Sequence, residues 1–423
     1  MASVARISRL RWLLRDFLQR LWVRVTGFAV LGILTALAGY WMRHLIPTGL
    51  AGRVGADAIE PILQIIASSM LTVTTFSLSI LTAAYATASS GSTPRSVRLL
   101  VRDATSQTVL ATFIGAFVFS LVGLIMLKTQ LYGEEGRVML FAVTLVVIIL
   151  VILSLLRWIS RLGEMGLVGD TLSQLEKATV KALCERVKSP WLGANPLRGA
   201  PPDDAWPVFP TSVGYMQHAD MGGLSKKAEA QGLTIFLLAE PGDFVHPGLP
   251  VMVVQGPADE QCDDAGADLR SCLTIRPERD YRQDPRFGLA TLSEVAQRAL
   301  SPGVNDPGTA VDVCRAVLRV LSYWRCPMTP EVIYPRIYLK GLDAEEMIRH
   351  TLLPLARDGA QNYQIQTSLQ QVIHGLALVG PAVYGAAARR LSRDVLSLAQ
   401  TDAMLPQQVQ DLRRVADWSA QPE

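Results

Sequence analysis

Six residues in one long uncharged run, Gln64, Ser68, Thr72, Thr75, Ser79 and Thr82, are separated by 4, 4, 3, 4 and 3 positions, which keeps them on one face of an α-helix. A row of hydroxyls with one amide serves either of two chemistries. Ser and Thr are small and bond across helices or back to their own carbonyls, so they can pack helices together in lipid. They can also line a watery path, replacing part of an ion's hydration shell without presenting a fixed charge. A second group, Arg276, Arg279, Arg282 and Arg286, could clamp a phosphate or carboxylate, unless the acids interspersed among them pair with the guanidiniums first. Catalytic chemistry has no comparable candidate. The histidines at 44, 218, 246, 350 and 374 lack metal-ligand spacing, and no GxSxG, Walker A, HExxH or strand-to-helix GxGxxG motif occurs. The expectation is a protein that is not an enzyme and has no metal and no cofactor.

The elements that must position these groups follow from hydropathy. Half of the 423 residues are apolar and 18% are charged, with a mean hydropathy of +0.27, which excludes disorder, collagen and small disulfide scaffolds. The five cysteines form no CxxC pair and fit a reducing compartment. Four apolar runs, about 25–42, 61–88, 108–127 and 138–156, are long enough to cross a bilayer, and the six-residue row lies in the second. An Arg-rich opening before the first run also fits a cleaved signal peptide, but the run is long for one and three more follow. No Asp, Glu, Lys, Arg or His lies deep in a span, so a proton relay, a carboxylate sodium site and a voltage sensor lack their charged groups. Gly32 with Ala36, and Ala111 with Gly115, are small pairs that permit close helix approach.

Charge sets the expected orientation. Eleven Lys and Arg flank the spans at the amino terminus, in the 89–107 loop and at the exit of span four, against four in the other two loops. By the positive-inside rule both termini and the 89–107 loop are cytoplasmic. Residues 1–156 carry a balance of +7 and the remainder −4, and an acidic second part argues against nucleic acid as a partner.

Beyond a basic segment at 1–24 and a membrane domain at 25–156, the expected organisation is a helical extension at 157–188, a Pro-rich linker at 189–210, a small β-rich module at 211–256 and a mostly helical part at 257–423. Pro241-Gly242-Asp243-Phe244-Val245, with Gly248 and Pro250, resembles the turn of biotinyl and lipoyl carrier domains. No hairpin Lys follows, so a structural barrel-like module is expected. Ser301-Pro302-Gly303 stops a helix begun at Leu289, and Asp306-Pro307 starts the next as N-cap and first residue.

Several stretches together resemble one family. They are Phe76-Ser77-Leu78-Ser79-Ile80, Thr93-Pro94-Arg95, Thr112-Phe113 with Gly115 and Phe117, Gly214-Tyr215, Pro241 to Val245, Gln283-Asp284-Pro285 with Phe287-Gly288-Leu289, and Arg298-Ala299-Leu300-Ser301-Pro302-Gly303 through Asn305-Asp306-Pro307 to Thr309-Ala310. They are similar to the DUF2254 family of predicted bacterial membrane proteins, most clearly over residues 20–325. The family often has other residues at Val304 and Gly308. The resemblance implies an inner-membrane protein with four spans and a cytoplasmic domain, and carries no catalytic or binding residue with it.

The expected fold is an α-helical polytopic membrane domain with four transmembrane helices, followed by a cytoplasmic α+β domain containing the barrel-like module. Its partners are the lipid bilayer, further copies of itself and ions. One polar row on four helices encloses little space, so copies around an axis would form the path. The expected function is a homo-oligomeric channel or pore-like protein with span two lining the path and a cytoplasmic regulatory domain. The alternative is a non-conducting scaffold or sensor whose cytoplasmic domain binds a partner or anionic ligand.

Overall fold

The computed structural model describes residues 56–101, 103–129, 134–256, 262–327 and 330–420, with isolated helical positions at Val23, Thr26, Gly27, Val30 and Leu34. The basic segment 1–24 and the span expected at 25–42 otherwise lie outside the described residues. Contacts divide the chain into a membrane unit, ending at Asp170, and a carboxy-terminal unit from Thr171 that also includes Ser92–Ser96.

The membrane unit is built from α1 (Ala56–Gly91), a short α2 (Pro94–Val101), α3 (Ala104–Lys128) and α4 (Glu134–Leu162). Among the described residues, three helices are long and apolar enough to cross a membrane: α1, α3 and α4. More than half of the α3 span is buried, against 28% in α1 and 17% in α4, so α3 is the central helix. Phe113 and Val109 of α3 pack with Ile66, Met70 and Leu81 of α1 and Trp158 of α4, and Leu63 and Leu140 fill a second cluster. Asp103 caps α3, accepting the Ser106 N–H at 3.0 Å and its hydroxyl at 2.6 Å. Arg161 at the end of α4 donates to both Asp170 oxygens at 2.9 and 3.0 Å, to Glu164 at 3.0 Å, and sits 3.4 Å from Asp103. The helix expected to run unbroken out of span four instead turns at residues 163–166, where Gly166 has φ +83°, before α5 (Val168–Lys188) begins.

In the carboxy-terminal unit the 189–210 segment supplies two short strands, β1 (Ala194–Pro196) and β2 (Trp206–Val208). Next come β3 (Gly214–Ala219), α6 (Met221–Gln231), β4 (Thr234–Leu237), β5 (Phe244–Val245), β6 (Met252–Gln255), α7 (Cys262–Arg270) and β7 (Leu273–Arg276). The helices α8 (Pro285–Leu300) and α9 (Pro307–Leu321) precede β8 (Tyr334–Leu339). The chain then forms α10 (Ala344–Asp358), α11 (Tyr363–Val379), α12 (Pro381–Leu398) and α13 (Pro406–Ala416). The described strands lie in two sheets, a five-stranded mixed one in the order β1-β8-β4-β6-β2 and a three-stranded antiparallel one, β5-β3-β7. The barrel-like module expected at 211–256 is thus replaced by sheets that recruit β1, β2, β7 and β8 from outside that range, because β4 needs a partner on both edges and finds β8 in parallel. Met216, Leu224, Ile235, Met252, Val254 and Ile337 form the core under them.

The helix expected from Leu289 begins at Pro285. Asp284 accepts the Phe287 N–H at 3.2 Å with Pro285 at the first helical position, the same device by which Asp306 accepts the Thr309 N–H at 3.1 Å before α9. Gly288 lets α8 approach α5: a Cβ there would lie 2.1 Å from the Thr179 hydroxyl.

Candidate functional site

The six-residue row of α1 lies on its exposed face. Gln64, Ser68, Thr72, Thr75, Ser79 and Thr82 are all exposed, whereas Leu63, Ile66, Met70 and Leu81 point inward. At about 100° per residue the row forms a band bordered by Leu71 and Leu78 on one side and Ile65 and Phe76 on the other. Each hydroxyl donates to the carbonyl four residues earlier, Ser68 to Gln64, Thr72 to Ser68, Thr75 to Leu71, Ser79 to Thr75 and Thr82 to Leu78, at 2.9–3.1 Å. Gln64 donates to Glu60 at 3.2 Å. Among the described residues the row therefore makes no hydrogen bond to α3 or α4, and its hydroxyl protons are satisfied without water.

In the carboxy-terminal unit the short motifs meet. Gly214 and Tyr215 of β3 pair with Val245 and Phe244, and the Tyr215 and Phe244 rings stand edge to face at 5.2 Å. The turn Glu240-Pro241-Gly242-Asp243 lies against the start of α8. Gly242 has φ +103°, and a Cβ on it would meet the Asp284 carboxylate at 2.3 Å, so the position requires glycine on both counts. A pocket of about 300 Å³ opens there, lined by Tyr215, Phe244, Arg279, Arg286, Met347 and His350 among others.

Residues 19–374 match the family described as predicted membrane protein (DUF2254), a range that covers most of the chain. The chain belongs to the DUF2254 family. An uncharacterized protein of Mycobacterium bovis and another of Mycobacterium tuberculosis are each 29% identical to it over 316 residues, covering 70% of this chain. The chain spans 57% of the length of these relatives. No solved structure matches. Both the α1 band and the pocket fall inside the region that defines a DUF2254 protein.

The four arginines of this DUF2254 chain divide. Arg279 donates through Nε to Asp284 at 2.8 Å and lies over the Phe287 ring at 5.0 Å. Arg286 reaches Asp243 at 2.8 Å, Glu240 at 3.2 Å and the Pro241 carbonyl at 3.1 Å. Both line the pocket. Arg282 pairs with Asp280 at 2.9–3.0 Å, and Arg276 is exposed at the end of β7; neither lines it. Sequence reasoning did not single out Arg186 of α5, whose guanidinium is buried and paired with Glu240, 54 residues away. The signal was available only as a helical period that puts Arg186 on the buried side with Leu175, Thr179 and Leu183.

Three guanidiniums, Arg186, Arg279 and Arg286, thus face three carboxylates, Glu240, Asp243 and Asp284. Burial pushes the Asp284 and Glu240 carboxyls up and the Arg186 guanidinium down. Burial lowers Arg286 as well, but Glu240, Asp284 and Asp243 outweigh it and hold the group above its ordinary value. The cluster is neutral in total, and an incoming anion must compete with carboxylates already in place.

Proposed function

We propose that the chain is a non-catalytic inner-membrane protein that self-associates through the exposed face of α1, that this face lines an ion- or solute-permeable path, and that the carboxy-terminal unit is its cytoplasmic regulatory part. The observation that carries the reading is the exposed hydroxyl band of α1. The interior of the described bundle is filled by Phe113, Leu63, Met70 and Leu140, so a path belongs between copies rather than within one. Bordering the band with Leu71, Leu78, Ile65 and Phe76 supplies apolar contacts for neighbouring copies while the hydroxyls face the axis. The turn Ser92–Ser96 folds with the carboxy-terminal unit, where the Tyr281 hydroxyl donates to the Arg95 carbonyl at 3.1 Å and Arg95 pairs with Glu294. That arrangement supports one shared, cytoplasmic side for the 89–107 loop and the carboxy-terminal unit, in keeping with the positive charge there.

A second reading, a dry scaffold, is favoured by the hydroxyls donating to their own helix, since such a face needs no water. One experiment separates the two. Purified protein in a planar bilayer is expected to conduct, and the triple variant Ser68→Leu, Thr75→Leu, Ser79→Leu to lose conductance while remaining oligomeric. Silence of the natural protein under voltage and tension, with a triple variant that falls apart, selects the scaffold. A monomeric natural protein removes both.

A further inference from the structure

Three of the four arginines that stand out in the sequence, Arg279, Arg282 and Arg286, are matched by carboxylates, but another set of cations is not. Within the carboxy-terminal unit, α5 and the end of α9 border an open groove of about 630 Å³ lined by Lys177, Lys181, Arg319, Arg325, Tyr323 and Glu176 among others. Glu176 is the one acid lining it, and both of its oxygens accept from Arg319 at 2.7 Å. Lys177, Lys181 and Arg325 are exposed and meet no carboxylate within salt-bridge distance among the described residues. Lys177 and Lys181 stand one helical turn apart, where like charges repel unless an anion lies between them. A helix carboxy-terminus would ordinarily oppose an anion through its free carbonyls. Here those carbonyls are covered: Leu318 accepts from the Ser322 N–H, Arg319 from the Ser322 hydroxyl, Leu321 from Trp324 and Tyr384, and Ser322 from Arg325 Nε. The field in the groove is therefore set by its side chains, and it is positive.

We propose that this groove binds a phosphate-bearing anion, held by Lys177, Lys181 and the free edge of Arg325, with the half-exposed Tyr323 ring against its less polar part. Two sources share that chemistry: a soluble phosphate compound and a lipid headgroup.

The test is calorimetric titration of the purified full chain in neutral detergent at low ionic strength, with inorganic pyrophosphate in one arm and dihexanoylphosphatidylglycerol in the other. Binding of pyrophosphate alone assigns the soluble source, binding of the lipid alone the headgroup, and binding of both the phosphate itself. In each case Lys177→Gln with Lys181→Gln is expected to weaken binding tenfold or more, Glu176→Gln to tighten it severalfold, and Arg276→Gln, on a distant strand end, to leave it unchanged. The gain in Glu176→Gln reports on the groove even if the double variant folds poorly. Failure of both probes to bind, or the same affinity in all variants, overturns the proposal.

Discussion

The outward faces of α1 and α4 are opposites. On α4 the outward residues Leu145, Val146, Ile149, Leu150, Ile152 and Leu153 are apolar, and its hydroxyls Thr144 and Ser154 are buried, with only Ser160 in the last turn exposed among the described residues. On α1 the outward face carries the hydroxyl band. The span of α4 has a mean hydropathy of 3.2 and that of α1 only 1.6. Central α3 follows α4 beyond its first two turns, with Thr112 and Ser120 buried; near its start Ser106 is buried, and Thr105 and Thr108 are exposed. A helix that meets lipid has no reason to turn its polar side outward, so α1 is the member of the trio suited to a protein or water neighbour.

The largest expected effect comes from a buried charge. Ile149→Asp, at the middle of α4, should cost ~2.5–3.5 kcal/mol of insertion free energy and deplete the membrane-integrated fraction after carbonate extraction. Thr75→Asp, at the corresponding depth of α1, should deplete it far less. Equal depletion at the two sites would erase the contrast and return α1 to lipid.

A smaller effect is expected from trimming the edge of the band. Phe76 is 64% exposed, and Phe76→Ala should weaken self-association by at least ~1 kcal/mol, read by light scattering in detergent. The matching change on α4, Ile152→Ala, should stay within ~0.5 kcal/mol. A loss of assembly on trimming α4, with none on trimming α1, would show that the copies meet through the wrong helix for this reading.

The smallest effect concerns the inward side. Thr144→Val removes a hydroxyl whose partner is the carbonyl of Leu140 at 2.7 Å in its own helix, and should change stability in a denaturing-detergent titration by no more than ~0.6 kcal/mol. A loss above ~2 kcal/mol would mean that Thr144 holds a neighbouring helix, and that α4 uses its polar groups as α1 does not.

Much of this was legible before any coordinates, and the parts that were not share a cause. The described spans announce themselves by lacking charge, and Asp306-Pro307 by cap chemistry, because both are local. The period of the α1 row fixes that its members share a face, but not which way that face points, since direction depends on what the other helices offer. Asp284-Pro285 carries the same cap signal as Asp306-Pro307, yet the dense charges around it read as loop. The β8 partnership with β4 and the Arg186–Glu240 pair join residues roughly 50 to 100 positions apart, and no spacing rule reaches that far. For the same reason the arginine cluster reads as a clamp: Asp280 and Asp284 stand beside it in the sequence, but Glu240 and Asp243 arrive from another turn.

Arg161 has a consequence in time. It is one of the positive charges from which the expected orientation is read, and in the folded unit Asp170, Glu164 and Asp103 answer that charge. Orientation is decided while the nascent chain leaves the ribosome, when residues 164 and 170 follow behind Arg161 and have not yet reached it. The side chain thus enters insertion without Glu164 and Asp170 and is tied to both afterwards. Its two duties fall at different moments of the protein's life, which lets biogenesis read a signal that the mature fold conceals.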